Sequence, residues 1–154
     1  MIRVRRATIS DAETLARFSL AMAWESERKR LDEATILAGV RTAVLDPTRA
    51  LYFVAELDGA VAGQTMVTPE WSDWRNAFFW WIQSVYVDPP SRRRGLFRAL
   101  HAHVRDEAGR RSDVCGLRLY VHAENRSAMQ TYDCVGMART AYLVLEEDWS
   151  GKPK

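Results

Sequence analysis

The sequence predicts a mixed α/β fold with the element order β-α-α-β-β-β-α-β-α-β. Three observations carry it. Apolar residues recur at helical spacing up to residue 45 and then switch to strand-like runs. Asp58-Gly59 sits between two such runs as a tight hairpin turn. A long apolar run over 78–87 leads through Pro89-Pro90 into a helical pattern and then another strand. A strand meander followed by a β-α-β crossover results.

Taken in order, Ile2, Val4 and Ala7 among arginines read as a short strand over 3–7. Thr8, Ser10 and Asp11 supply helix N-caps. Leu15, Phe18, Met22 and Ala23 then share a helical face, and the polar stretch 25–30 separates this helix from the next. The second helix starts at Asp32 or Glu33 and carries Ile36, Leu37, Val40 and Val44 on one face. Asp46-Pro47 stops it. Residues 51–57 and 61–67 form the hairpin, and 69–76 is a loop containing Trp71 and Trp74. The run over 78–87 is interrupted only by Gln83 and Ser84. It reads as a central strand covered on both faces, ended by prolines that cannot donate to a ladder. A helix over 95–108 places Leu96, Phe97, Leu100 and Val104 in register. A strand follows over 117–121, then a short helix capped by Asn125 and ended near Cys134 by Gly136. The last strand is expected over 137–146.

Composition narrows the function. The chain has 154 residues, of which 47% are hydrophobic and 27% charged. This suits one domain, expected over 1–149, with a polar tail at 150–154. No apolar run approaches the roughly 20 residues that span a bilayer, and the start of the chain turns polar at once. A cytoplasmic protein without membrane partners is expected. Cys115 and Cys134 are too far apart for a C-x-x-C motif and read as two buried free thiols. With three histidines and no paired cysteines, no metal is expected. The net charge is +2, yet residues 92–111 hold seven arginines against Asp106 and Glu107. Such a local field suits a small polyanion. Nucleic acid is not expected as a partner, because the arginines gather at a helix start rather than along a face interleaved with aromatics.

Two stretches carry chemistry. Residues 83–100 run from strand end through an Arg/Gly turn into a helix start. The first amides of a helix lack internal partners, and its dipole adds about half a positive charge there. Gly95 lets backbone approach a ligand, while Arg92, Arg93 and Arg94 bring forked donors suited to phosphate oxygens. The pattern lacks the Lys-Ser/Thr of a Walker loop and the three glycines of a dinucleotide fingerprint. In the second stretch, Asn125 and Tyr132 lie two helical turns apart on one face, with Ala128 leaving that face open between them.

R-x-x-G-x over 92–96, behind the strand residues Val85, Tyr86 and Val87, resembles the acyl-CoA pyrophosphate loop of the GNAT N-acetyltransferase superfamily. N-x-x-A-x-x-x-Y over 125–132, followed by Gly136-Met137, is similar to the next motif of that superfamily. The element order matches over nearly the whole chain. Phe97 departs from the Gly or Ala that many members carry there, which alters packing of the first helical turn. The resemblance implies a mostly antiparallel sheet whose middle strands splay apart. It implies acetyl-CoA as acyl donor and an amine, small-molecule or peptide, as acceptor. Backbone groups of Val85 and Val87 would hold the pantetheine arm, and Arg92, Arg93, Arg94, Gly95, Leu96 and Phe97 the pyrophosphate. Asn125 would hydrogen-bond pantetheine beside Ala128, and Tyr132 would protonate the leaving thiolate. Many members place a glutamate base on the central strand. The comparable position here holds Gln83, which can orient water or substrate but cannot be a base. His122, at a strand end beside the motif helix, is the titratable substitute by type.

Family geometry puts the acceptor between the first helical pair and the loop before the central strand. Trp24, Glu25 and Glu27 come from one side and Trp71 and Trp74 from the other, with Gln83 of the central strand counted among the substrate-binding residues. Tryptophan with carboxylate suits a cationic amine. The six tryptophans would also suit a homodimer surface. A non-catalytic acyl-CoA-binding module of the same fold is the alternative, favoured by Gln83 and opposed by Asn125 and Tyr132.

Overall fold

The computed structural model describes residues 1–151. The chain divides into two compact units, one over Met1–Tyr120 and a second from Val121 onward.

The first unit contains β1 (Ile2–Arg6), α1 (Ala12–Glu27), α2 (Glu33–Leu45), β2 (Leu51–Leu57), β3 (Ala60–Ser72), β4 (Ala77–Val87), α3 (Leu96–Gly109) and β5 (Val114–Arg118). Its sheet has the order β1-β2-β3-β4-β5. The first three pairings are antiparallel, and β5 joins β4 in parallel after the α3 crossover. The mixed, mostly antiparallel sheet is therefore as expected.

Both sheet faces are covered. On one, Leu96, Leu100, Val104 and Ala108 of α3 pack on Phe53, Ala55, Ala62, Val67, Trp80 and Ile82. Burying each of the larger aliphatic side chains stabilises by about 1.5–3 kcal/mol. On the other face, Ala12, Leu15 and Ala16 of α1 and Val40 of α2 pack on Tyr52 and Val54. Arg5 fastens the entry to α1: its guanidinium donates to both carboxylate oxygens of buried Asp11 at 2.8 and 2.9 Å and to Glu56 at 2.6 Å. Asp32 caps α2 as expected, accepting from the Thr35 amide at 2.8 Å.

Several boundaries differ from the sequence reading. The stretch 69–76 is not a loop throughout, because β3 continues to Ser72 and pairs with β4 down to Ser72 opposite Ala77. Pro69 is tolerated there because β2 ends at Leu51, opposite Val67, and leaves that edge of β3 free. The polar run 25–30 does not end α1, which continues to Glu27 and stops where Arg28 turns left-handed at φ 54°. β5 lies at Val114–Arg118 rather than 117–121. Gly116 obscured it, and a Cβ at that glycine would lie 2.8 Å from the Phe79 ring. Cys115 is exposed, not buried: β5 is the outermost strand, and its thiol donates to the Phe78 carbonyl at 3.3 Å.

The second unit holds α4 (Arg126–Cys134), capped at its start by Asn125. Gly136 follows at φ 87°, the left-handed conformation expected of a helix terminator. Cys134 closes this helix as an exposed thiol, again contrary to the buried reading. The strand expected over 137–146 does not form. A strand needs a partner edge, and among the described residues of this unit the one regular element is a helix, whose last backbone bond joins the Met137 amide to the Tyr132 carbonyl at 3.1 Å.

Candidate active site

β4 is the strand that organises the site. Opposite β3, Met66 pairs with Ser84 and Val67 with Ile82, which leaves Gln83 as a bulged residue without a partner. The bulge changes the alternation, so Val85 and Val87 face the same core as Trp80 and Ile82. β5 pairs with β4 only from Phe78 to Trp81. Beyond Trp81 the far edge of β4 has no ladder partner among the described residues. The Asp88 amide bonds the Ala62 carbonyl at 2.9 Å. By antiparallel alternation the peptide groups of Tyr86 then face β3, and those of Val85 and Val87 face the open edge. The splayed middle strands are thus present as a short parallel ladder that stops halfway along β4.

That edge runs straight into the arginine turn. A 3₁₀ turn at Pro89–Ser91 ends the strand. Arg93 and Gly95 are left-handed, at φ 63° and 90°. α3 begins on Gly95, which has no side chain with which to cap it. Left-handed turns of this kind bring backbone amides together into anion-binding concavities. Leu96 is buried in the core and fixes the helix start against the sheet.

The three arginines have different surroundings. Arg92 folds back: its Nε donates to the Val87 carbonyl at 2.9 Å, and its Nη2 pairs with Glu25 at 2.5 Å. Arg94 approaches Asp58 at 3.6 Å. Arg93 is exposed and makes no ion pair among the described residues. Phe97 stacks on His101 within α3, so the departure at Phe97 is accommodated by a ring contact on the helix surface.

The bulge anchors a second group of side chains. Gln83 Nε2 donates to Thr68 Oγ1 at 2.8 Å, and the Tyr120 hydroxyl donates to Gln83 Oε1 at 3.1 Å. Beside it, Glu70 accepts from Trp81 Nε1 and Arg118 Nη1, both at 2.7 Å. Arg118 also lies over the Phe79 ring at 3.7 Å. Thr68, Glu70, Arg118 and Tyr120 were missed in the sequence. Their link to Gln83 and Trp81 depends on the register of β3 against β4, which the residue pattern does not specify.

Each expected acceptor residue has its own surroundings. Trp24 is 43% exposed but is flanked by Arg28 and Arg30, 5.5 and 5.2 Å from its ring. Glu25 accepts from the Tyr86 hydroxyl at 2.9 Å as well as from Arg92. The Arg92 guanidinium holds the Glu25 carboxyl below the usual carboxylate range, with the Tyr86 bond adding to this. Glu27 is exposed at the end of α1. Trp71 meets Phe78 edge-on at 4.9 Å, and Trp74 is 86% exposed at the β3–β4 turn. No hydrogen bond, ion pair or ring contact among the described residues joins either tryptophan to α1.

In the second unit, Asn125 Oδ1 accepts from the Ala128 amide at 3.0 Å, a cap worth about 1 kcal/mol. Its amide hydrogens remain for a ligand. Burial pushes the Tyr132 hydroxyl above the ordinary phenol value, so it keeps its proton at neutral pH. His122 is exposed, and its Nδ1 accepts from the Glu124 amide at 3.3 Å. Among the described residues no cluster of His, Cys, Asp or Glu is placed to hold a metal ion. Among the same residues, no helix is long and apolar enough to cross a membrane.

A half-open strand edge that runs through a left-handed arginine turn into a helix start defines an acyl-transfer fold of the α/β class. Known proteins agree. The chain belongs to the acetyltransferase (GNAT) family, whose model matches residues 10–137. It is therefore an acetyltransferase, and the family draws its acetyl group from acetyl-CoA. Among solved structures, a "possible acetyltransferase" from Clostridium difficile 630 is 38% identical, with a TM-score of 0.90 over 96% of this chain and 97% of that one. The ribosomal-protein-alanine N-acetyltransferase from Brucella melitensis biovar Abortus 2308 shares the fold at 17% identity, with a TM-score of 0.75 over 96% and 100% of the two chains. AAC(6')-Iy, in complex with the bisubstrate analogue CoA-S-monomethyl-acetylneamine, does so at 15% identity, with a TM-score of 0.75 over 96% and 98%. No curated protein matches the chain.

Proposed function

We propose that the protein transfers an acetyl group from acetyl-CoA to a primary amine by direct attack within a ternary complex. The observation that carries this reading is the open edge of β4 at Val85 and Val87, continuous with the turn at 92–95 and the start of α3. An extended pantetheine arm adds to that edge as a short strand through the peptide groups of Val85 and the Val87 amide. The backbone amides of Arg94, Gly95 and Leu96, together with Arg92 and Arg93, receive the diphosphate. Asn125 donates to pantetheine through Nδ2, because its Oδ1 is committed to the helix cap.

The chemistry then asks little of the protein. The amine lone pair attacks the thioester carbonyl carbon, and the C–S bond breaks as the tetrahedral intermediate collapses. The sulfur leaves as a thiolate and takes the Tyr132 proton, while the amine nitrogen gives up a proton and becomes an amide. Holding both substrates together supplies much of the rate. A strand amide near Val85 stabilises the oxyanion. Gln83, fixed by Thr68 and Tyr120, retains an amide hydrogen and a carbonyl lone pair with which to hold the water that accepts the amine proton. His122 is the less suitable base: the bond at Nδ1 engages the lone pair of its neutral ring.

The acceptor is read as an amine reaching the Gln83 bulge past the half-buried side chains of Thr68, Glu70 and Trp81. The α1 residues Trp24 and Glu25 are already engaged within the chain and are left out of that contact. The AAC(6')-Iy complex, with its CoA-linked neamine, shows what one protein of this fold holds.

Tyr132→Phe tests the mechanism. With Tyr132 as the general acid, kcat falls by about 10²- to 10⁴-fold, whereas the acetyl-CoA dissociation constant measured by titration changes far less. Unchanged kcat would remove Tyr132 from the reaction.

A further inference from the structure

Arg92 and Glu25 come from opposite ends of the first unit's sequence, yet they share the most closely bonded group of polar side chains around the turn. The Glu25 carboxylate accepts from Tyr86 through one oxygen and from Arg92 through the other. Arg92 spends a second donor on the Val87 carbonyl and lies 5.6 Å over the Tyr86 ring. Its guanidinium is thus tied to the end of α1, to the face of β4 and to the edge of β4. A guanidinium has five N–H donors in a rigid fork. Two are used in these bonds, which leaves three on a residue that immediately precedes the turn at 93–95. The side chain remains about half exposed, so those donors reach solvent.

We propose that Glu25 is a positioning residue for the acyl donor: through Tyr86 and Arg92 it holds the Arg92 fork in place for the donor's diphosphate. The inference rests on the reading of the 92–95 turn as the diphosphate site. Two effects of Glu25 oppose each other. As an anion near an anion site, it repels the donor. As an anchor, it removes the cost of ordering a long, flexible arginine at the moment of binding. The first effect acts over less than the Debye length of about 8 Å at 0.15 M ionic strength, so it is only partly screened there and weakens at higher salt. The second is not screened, and ordering one such side chain corresponds to about a 3- to 10-fold change in affinity. Glu25 is also paired with Arg92, which offsets its charge towards the diphosphate, so the anchor outweighs the repulsion.

The test compares acetyl-CoA with S-acetylpantetheine, a thioester that lacks the diphosphate, at 0.15 M and 0.5 M salt. The readout is the ratio of kcat/KM for the two donors. In Glu25→Gln that ratio falls about 3- to 10-fold at both salt concentrations, and the fall disappears in an Arg92→Met background, where there is no fork left to hold. A purely structural role, or a role in acceptor binding, would lower both rates and leave the ratio where it was, which would overturn the inference. A ratio that rises in Glu25→Gln would overturn it too, leaving Glu25 as a counter-ion that masks the site. If the wild-type protein itself showed no preference for the diphosphate-bearing donor, the turn would not be the diphosphate site and the reading beneath the inference would fail separately.

Discussion

His101 shows how a single residue reports on the packing of α3. It is buried on the helix that covers the sheet, its Nε2 has no hydrogen-bond partner among the described residues, and it stacks against Phe97. Burial, with a smaller contribution from Arg105, holds its pKa below the ordinary value of 6.5. The folded protein therefore prefers the neutral ring, while the unfolded chain protonates normally. The stability this group contributes is complete above about pH 6.5 and is lost as the pH falls below it towards the folded value. Urea unfolding between pH 7 and 5 should show declining stability, with a slope from this group of at most about 1.4 kcal/mol per pH unit. His101→Leu should flatten that decline, and an unchanged slope would assign it to other groups. At this scale much was legible. Gly95, Gly136 and the caps Asp32 and Asn125 each follow from one residue's own conformational preference. The fate of Glu25 was not, because Arg92 and Tyr86 reach it only through the fold.

Elements were legible where one segment decides its own structure, and less so where a neighbour decides. α2, the 58–59 turn and the end of β4 follow from local signals. The extension of β3 through Pro69, the bulge at Gln83 and the place of β5 follow from pairing. Gly63 illustrates the second kind. It lies opposite Val87, and a Cβ there would sit 3.0 Å from the Tyr86 carbonyl oxygen and 3.5 Å from both Leu100 and Val87. The tight contact is with the β4 backbone, which must give by a few tenths of an ångström, while the 3.5 Å distances are ordinary van der Waals contacts. Gly63→Ala should destabilise the fold by about 1–3 kcal/mol in chemical unfolding. Wild-type stability would mean that the sheet yields freely under α3.

At the scale of the whole molecule, two motifs some 30 residues apart and an element order sufficed to place the chain in its family, and the family model covers 10–137. The acceptor was not legible, because the Gln83 group proposed to meet it is assembled by strand register rather than by a contiguous motif. The proposed acyl-donor site belongs to the contiguous kind: a strand edge, a turn and a helix start in unbroken sequence. The most direct test of that site is calorimetric titration of the purified protein with acetyl-CoA and with S-acetylpantetheine. Saturable binding of acetyl-CoA in the micromolar range is expected, at least about tenfold tighter than S-acetylpantetheine, because charge-assisted bonds to a diphosphate are among the stronger polar contacts available. Equal affinity for the two, or no binding of acetyl-CoA, would contradict the assignment of the diphosphate to the turn at 92–95.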